Sequence, residues 1–413
     1  MKNLAQHAAH STSVNSPAPR AALATNWYAV LAAVLCGVAV AMNVGKVSIV
    51  MPQLRAEFGM SMVTAGWVSS MINMLAVTTA LLFGLAGDRV GALRMCFFGL
   101  GVSAAGTLGA FFASGETGLL ISRFAEGAGM VSVAVSAPAL LTAASDPKDR
   151  RFALSMWSAY MPGGVGLVML AAPLMMHLDG WRAVWMLTLA VIALAALAIY
   201  RSRHAYHVPA PANAETGMLA TAKEALAQPA PWLLAFAMGC WTVQHFALII
   251  WLPTFLREQR GFGALAVSLL SCFMVLVNVP GNLLGGKLLQ RGYRRGNLIL
   301  AASIVTGLSG AGIFLDVFPD IVRYALCLTL SFVGGLMPAS VLSASATLSR
   351  TPKQIATLQG LFMQCGNLGS FIGPPIIAML VASSGLWRDA LFVTGTAALL
   401  GVAAGLAIRR YRV

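Results

Sequence analysis

Twelve apolar runs, each about as long as a membrane-crossing helix, follow one another along this chain and leave little sequence between them. About 20 apolar residues carry a helix across the hydrocarbon core of a bilayer. In lipid the backbone must satisfy its own polar groups, so runs of this length are read as helices. They fall at 28–50, 62–84, 95–113, 118–144, 152–176, 183–200, 232–255, 264–287, 298–315, 323–348, 358–382 and 390–408. Only 10% of the residues are charged, against about 25% in soluble domains. Soluble, secreted and nucleic-acid-binding proteins are thereby excluded. The expected fold is an all-α membrane protein of 12 transmembrane helices.

Residues 1–27 are polar and lack the apolar core and small-residue cleavage site of a signal peptide, so a disordered tail is expected there. The interval 201–231 is the one long polar stretch between runs and separates two groups of six. The expected organisation is a six-helix bundle at 28–200, a linker at 201–231, a second bundle at 232–408 and a short tail at 409–413. All six cysteines lie within apolar runs and read as small buried hydrophobes rather than a disulfide framework.

The net charge of +14 is a topology signal. With both termini in the cytoplasm, nineteen lysines and arginines fall on the cytoplasmic side and six on the other, leaving Lys46 and Arg123 inside runs. Positive residues concentrate on cytoplasmic loops, so both ends are expected there, with anionic lipid as a further attraction for the basic loops.

The two groups of six also resemble each other at a spacing near 200. Pro52 and Pro253 close the first run of each group, Arg123 precedes Pro138 by as much as Arg323 precedes Pro338, and Pro173 matches Pro374. Trp181-Arg182 and Trp387-Arg388 fill matching loops. The loop from Gly84 to Gly91 matches Gly286 to Gly292. Parallel repeats of this kind suit a carrier whose halves rock about a site near the membrane midplane.

With these residues in view, the chain resembles the major facilitator superfamily over nearly its whole length. The loop at Gly84, Gly87, Asp88, Arg89 and Gly91 resembles the family's G-x-x-x-D-R-x-G motif, departing from it at Ala92 and Leu93. Arg123, Gly127 and Gly129 resemble its R-x-x-x-G-x-G motif. The second-half copy keeps Arg291, Gly292, Arg294 and Arg295 but has Gln290 in place of the acid. The segments Asn43 to Lys46, Pro52 to Arg55, Ala65 to Trp67, Ala137 to Ala139 and Tyr160 to Gly163 are similar to the cyanate and nitroimidazole permeases. The resemblance implies that Gly84, Asp88, Arg89, Gly91 and Arg291 form a conformational latch, and that Arg123 takes part in proton coupling.

Ionisable side chains at membrane depth are costly and are functional candidates by default. Lys46 stands one helical turn from Asn43, so the two share a face and could offer an anion a charge and donors; the alternative is a lysine snorkelling to the interface. Arg123 and Glu126 lie three apart, close enough to pair, as a coupling element or as a structural ion pair. His245, flanked by Trp241 and Gln244, is either a titrating group or a satisfied core histidine. Gln244 faces Lys46 if the first and seventh runs oppose each other, as the resemblance implies. Tyr160 and Asn367 could line a cavity or simply bond between helices.

No phosphate-binding loop, nucleophile–base pair or metal-ligand spacing occurs in the sequence, so no enzyme, cofactor or metal site is expected. The expected function is a permease of the bacterial inner membrane, moving a small organic or inorganic anion by alternating access. Symport on a proton gradient is the expected coupling, and a monomer in the lipid bilayer the expected state. Efflux of apolar, drug-like compounds and a transporter-like sensor are the alternatives. The anion reading rests on Lys46 and Arg123 facing the single acid Glu126.

Overall fold

The structure is a computed structural model and describes residues 24–79, 90–206, 223–315, 317–349 and 352–411. Among them, eleven helices are long and apolar enough to cross a membrane. In chain order they are α1 (Trp27–Phe58), α2 (Met62–Thr79), α3 (Ala92–Phe111), α4 (Glu116–Ala144), α5 (Tyr160–Arg201) and α6 (Pro229–Glu258). Then come α7 (Ala264–Gln290), α8 (Arg295–Phe314), α9 (Asp320–Leu348), α10 (Thr357–Ser384) and α11 (Trp387–Ile408).

The runs expected as separate helices at 152–176 and 183–200 fall largely together in α5, which is 42 residues long. At about 1.5 Å per residue such a helix would measure about 63 Å, roughly twice the hydrocarbon thickness. The chain turns inside it. Asp179 (φ −151°, ψ 43°) and Gly180 (φ 56°, ψ −146°) leave helical geometry. Gly180 suits that turn because its φ is positive and because a Cβ there would meet Gln53 Nε2 at 2.7 Å.

α1 is started by Asn26, whose side chain accepts from Ala29 N at 3.1 Å, and ended by Gly59 in the left-handed region (φ 63°, ψ 25°). Thr25 Oγ1 donates to Asp149 Oδ2 at 2.6 Å and Tyr206 OH to Ala29 O at 2.8 Å, tying the start of α1 to the segments after α4 and α5. This is the Thr25 end of the bundle. Along α1, Gly45 lets α5 approach: a Cβ there would lie 2.7 Å from Val165 O. Small residues at such crossings permit the close packing that holds helices together in lipid.

One apolar core runs through the first half and on into α6, α7, α9 and α10 of the second, which also has a core of its own. In the first, α1 packs on α4 and α5, and α3 on α4; in the second, α6 packs on α10 and α11, and α8 on α9 and α11. α1 and α6 are the most buried helices, while α5 and α11 turn more of their surface outward. The repeat shows in matched anchors. Trp181 packs on Phe58 at the end of α1 (6.0 Å between rings), and Trp387 on Phe255 near the end of α6 (5.8 Å).

The halves meet through α1 with α6, α2 with α10, and α5 with α7. Arg55 Nη1 bridges to Glu258 Oε1 at 2.9 Å, Trp67 packs on Phe371 at 5.5 Å, and a Cβ on Gly166 would touch Leu276 at 3.0 Å. These contacts run from the middle of the bundle to the end opposite Thr25.

Candidate functional site

Inside the first half, three charged side chains meet without any exposed surface. Lys46 comes from α1, and Arg123 and Glu126 from α4. Lys46 Nζ donates to Glu126 Oε1 at 2.6 Å, to Asn43 Oδ1 at 2.6 Å and to Thr107 Oγ1 at 3.3 Å. An ammonium has three donors, and all three are in use. Snorkelling does not describe this lysine, because its head group is held inward. Trp185, just past the turn in α5, lays its ring 4.5 Å from the ammonium, within cation–π range.

Arg123 completes the group from the other side of the carboxylate. Its Nη1 donates to Glu126 Oε2 and, at 2.7 Å, to Asn43 O; its Nε donates to Val68 O of α2 at 3.1 Å. Its Nη2 is buried without a hydrogen-bond partner among the described residues. Asn43 is the hub: its amide donates to Ser103 Oγ at 2.9 Å, and its Oδ1 accepts from both Lys46 and Thr107. One carboxylate therefore stands between two cations, in a pocket built from α1, α3, α4 and α5. Charges this deep are held by mutual pairing, and loss of one partner leaves the others uncompensated.

Sequence reasoning singled out Lys46, Asn43, Arg123 and Glu126, and the structure brings those four together. It missed Ser103, Thr107 and Trp185. The signal for the first two was present: a serine and a threonine four apart on α3, one turn of the same face. Trp185 had no such mark, since its approach to Lys46 depends on the turn at Gly180.

The remaining candidates lie apart from this group. Tyr160 stacks on Trp157 (4.1 Å, 19°) against α1, where Gly37 leaves room for the pair. His245 stacks on Trp241 at 5.0 Å, and its Nε2 lies 3.2 Å from Ser331 Oγ of α9. Asn278 Nδ2 of α7 donates to Ser331 O at 2.7 Å, so α6, α7 and α9 share one polar contact. Gln244 donates to Cys240 O at 3.3 Å and leaves its Oε1 buried without a partner among the described residues. Asn367 Nδ2 turns back to Met363 O of its own helix at 2.8 Å.

The repeat is not kept at the arginine pair. Arg323, the counterpart of Arg123, donates to Ile313 O at 2.8 Å and stands 3.9 Å from Asp320, near the end of the bundle. Of the latch motif, Gly84, Asp88 and Arg89 lie outside the described residues. Gly91 starts α3 at φ 96°, and Arg291 is exposed at the end of α7.

A bundle of helices long and apolar enough to cross a membrane, in two packed halves with a buried charge centre in one of them, defines a polytopic membrane protein. The family model of the Major Facilitator Superfamily matches residues 33–374, and the chain belongs to that superfamily. It is therefore a multi-pass transporter of the cytoplasmic membrane and not an enzyme.

Among curated relatives, it is 25% identical over 381 residues to SauU of Cupriavidus necator, whose name gives sulfoacetate as its solute, with 87% of each chain covered. It is 24% identical over 366 residues to NiaP of Bacillus subtilis, whose name gives niacin and nicotinamide, covering 83% of this chain and 85% of that one. The cyanate and nitroimidazole permeases resembled by its short motifs are not the solute types these two names carry. In fold it superposes on a bacterial homologue of the human lysosomal transporter Spinster with a TM-score of 0.78, at 16% identity, covering 93% of this chain and 97% of that one.

Proposed function

We propose that this transporter is a proton-coupled carrier of a small organic or inorganic anion, and that Glu126 with Lys46 and Arg123 is its coupling centre. The observation that carries the reading is the position of Glu126 between two fully buried cations. Adding a proton to Glu126 cancels the only negative charge in the group. Two buried cations then face each other uncompensated, a state that costs several kcal/mol. An anion entering beside them removes that cost, so proton and anion favour each other's binding, and the linkage is reciprocal.

The first relative's name supports the anionic reading, since sulfoacetate carries two acidic groups; the second pairs niacin, a carboxylate, with the neutral nicotinamide. Asn43 belongs to the same group. Tyr160, Gln244, His245 and Asn367 are the proposed remaining contacts to substrate, with the unpartnered Oε1 of Gln244 as one acceptor. The latch role of Gly84, Asp88, Arg89, Gly91 and Arg291 is carried over from the family resemblance as part of this proposal.

The turn at Asp179 and Gly180 supports counting α5 as two spans, which makes twelve spans in two bundles of six, at 28–200 and 232–408. The excess of basic residues at the Thr25 end supports cytoplasmic termini. With that orientation the contacts between halves lie toward the outer side. The carrier acts as a monomer. Reconstituted protein tests this reading: uptake of sulfoacetate or nicotinate into proteoliposomes should rise with an inward proton gradient and lose that dependence in Glu126→Gln. Uptake equally driven by the gradient in that variant overturns the role of Glu126.

A further inference from the structure

We infer that the turn between α7 and α8 is a binding site for the phosphate of an anionic phospholipid headgroup. Arg291, Gly292, Tyr293, Arg294 and Asn297 line an open cleft there. Its floor is fixed. Gly292 (φ 85°) makes the turn, and Gly292 N and Tyr293 N donate to Leu289 O and Leu288 O at 3.0 and 3.1 Å. Arg295 anchors the next residue inward, donating to Ser340 O at 2.9 Å, Ser343 Oγ at 2.5 Å and Thr347 Oγ1 at 2.8 Å.

Arg291 and Arg294, in contrast, are exposed, and neither has an ion-pair or hydrogen-bond partner for its side chain among the described residues. Arg409 stands beside them, since a Cβ on Gly296 would lie 2.9 Å from its backbone N. Lys287 and Arg410, close to these in sequence, are likewise exposed and unpaired among the described residues. The matching loop of the first half carries Asp88; here the position is Gln290. Loss of that acid leaves the cationic side of the motif without its own counter-charge.

The depth of the cleft selects the ligand. α7 ends at Gln290 and α8 begins at Arg295, so the guanidinium groups sit where two spans leave the hydrocarbon. Tyr293 and Tyr411 flank them, 57% and 40% exposed, as aromatic residues do at headgroup level. A guanidinium fork takes two oxygens of a phosphate at once, and basic residues beside a span bind anionic headgroups. A free phosphate shares that chemistry but lacks acyl chains to hold it at this depth.

Native mass spectrometry of the full chain, titrated with phosphatidylglycerol, phosphatidylcholine or inorganic phosphate, tests the site. Phosphatidylglycerol should bind well ahead of phosphatidylcholine. The double substitution Arg291→Gln/Arg294→Gln should weaken it roughly thirtyfold, the effect of two membrane-facing charges. Arg388→Gln, on the opposite end, should leave it unchanged. Equal binding of the two lipids, or a phosphatidylglycerol preference that survives the double substitution, overturns the proposal. Inorganic phosphate binding as tightly and lost in the same variant would mark a free-phosphate site and overturn the lipid assignment.

Discussion

Lys46 Nζ lies 2.6 Å from Glu126 Oε1, and neither side chain has any exposed surface. α1 and α4 are thus joined by a contact that water does not weaken, and the same carboxylate is claimed on its other oxygen by Arg123. Replacement of any one of the three changes the buried charge. Lys46→Met leaves Arg123 and Glu126 as a neutral pair, whereas Glu126→Gln leaves two cations together. Glu126→Gln is therefore expected to destabilise the fold more, by about 3–5 kcal/mol, and Lys46→Met/Glu126→Gln to recover part of that loss. Thermal unfolding of the four proteins in detergent measures it; a Lys46→Met variant less stable than Glu126→Gln would contradict the charge argument.

Glu126→Gln removes the negative charge beside Lys46 without changing the side chain's size, and an external anion should then be drawn to the uncompensated ammonium. Sulfoacetate or nicotinate is expected to raise the melting temperature of Glu126→Gln more than that of the native protein, because the carboxylate no longer competes for the ammonium. At a hundredfold excess over Kd a ligand adds about 2.7 kcal/mol, enough to see as a shift of several degrees. A smaller shift in the variant than in the native protein would mean that Glu126 is not the competitor.

Trp185 offers Lys46 a partner that, like Asn43 and Thr107, protonation of Glu126 does not remove. Its ring is 4.5 Å from the ammonium, and the side chain is almost wholly buried. Trp185→Leu should cost about 1–2 kcal/mol of stability through lost cation–π attraction in a desolvated site, beyond the packing loss. In transport, it should shift the pH profile of uptake, and Trp185→Phe should restore part of the native profile. If Leu and Phe give the same profile, the ring acts only by filling space.

The spans and the four central residues of the site were legible because both depend on short-range pattern. Apolar runs mark helices wherever the chain must cross lipid. A lysine and asparagine three apart, or an arginine and glutamate three apart, share a helix face whatever surrounds them. What the sequence could not give was the meeting of those two faces. Lys46 read alone was an ammonium free to bind an anion; in the fold its three donors are taken by Asn43, Thr107 and Glu126. That closure depends on Gly45 admitting α5 and on where α3 lies against α4, which are long-range facts. The break of α5 was legible for the same reason as the spans: the runs at 152–176 and 183–200 stop on either side of the polar Asp179-Gly180, where the chain turns.

Arg55 and Glu258 join the ends of α1 and α6 at 2.9 Å, across the seam between the halves. Both are part exposed, so the pair contributes only about 0.2–1 kcal/mol. A carrier's two conformations need differ by only a few kcal/mol, however, and a contact present in one of them shifts the balance by its full value. Glu258→Arg should thus favour opening at this end, by up to about fivefold in population, with like charges replacing the pair. Arg55→Glu/Glu258→Arg should return the balance toward native, because the swap restores attraction in the same place. Spin labels on the α1 and α6 ends, read as distance distributions in liposomes, would report it. If the double reversal stays as open as the single one, the ion pair does not hold the seam, and closure there rests on the Trp67–Phe371 packing and the α5–α7 contact instead.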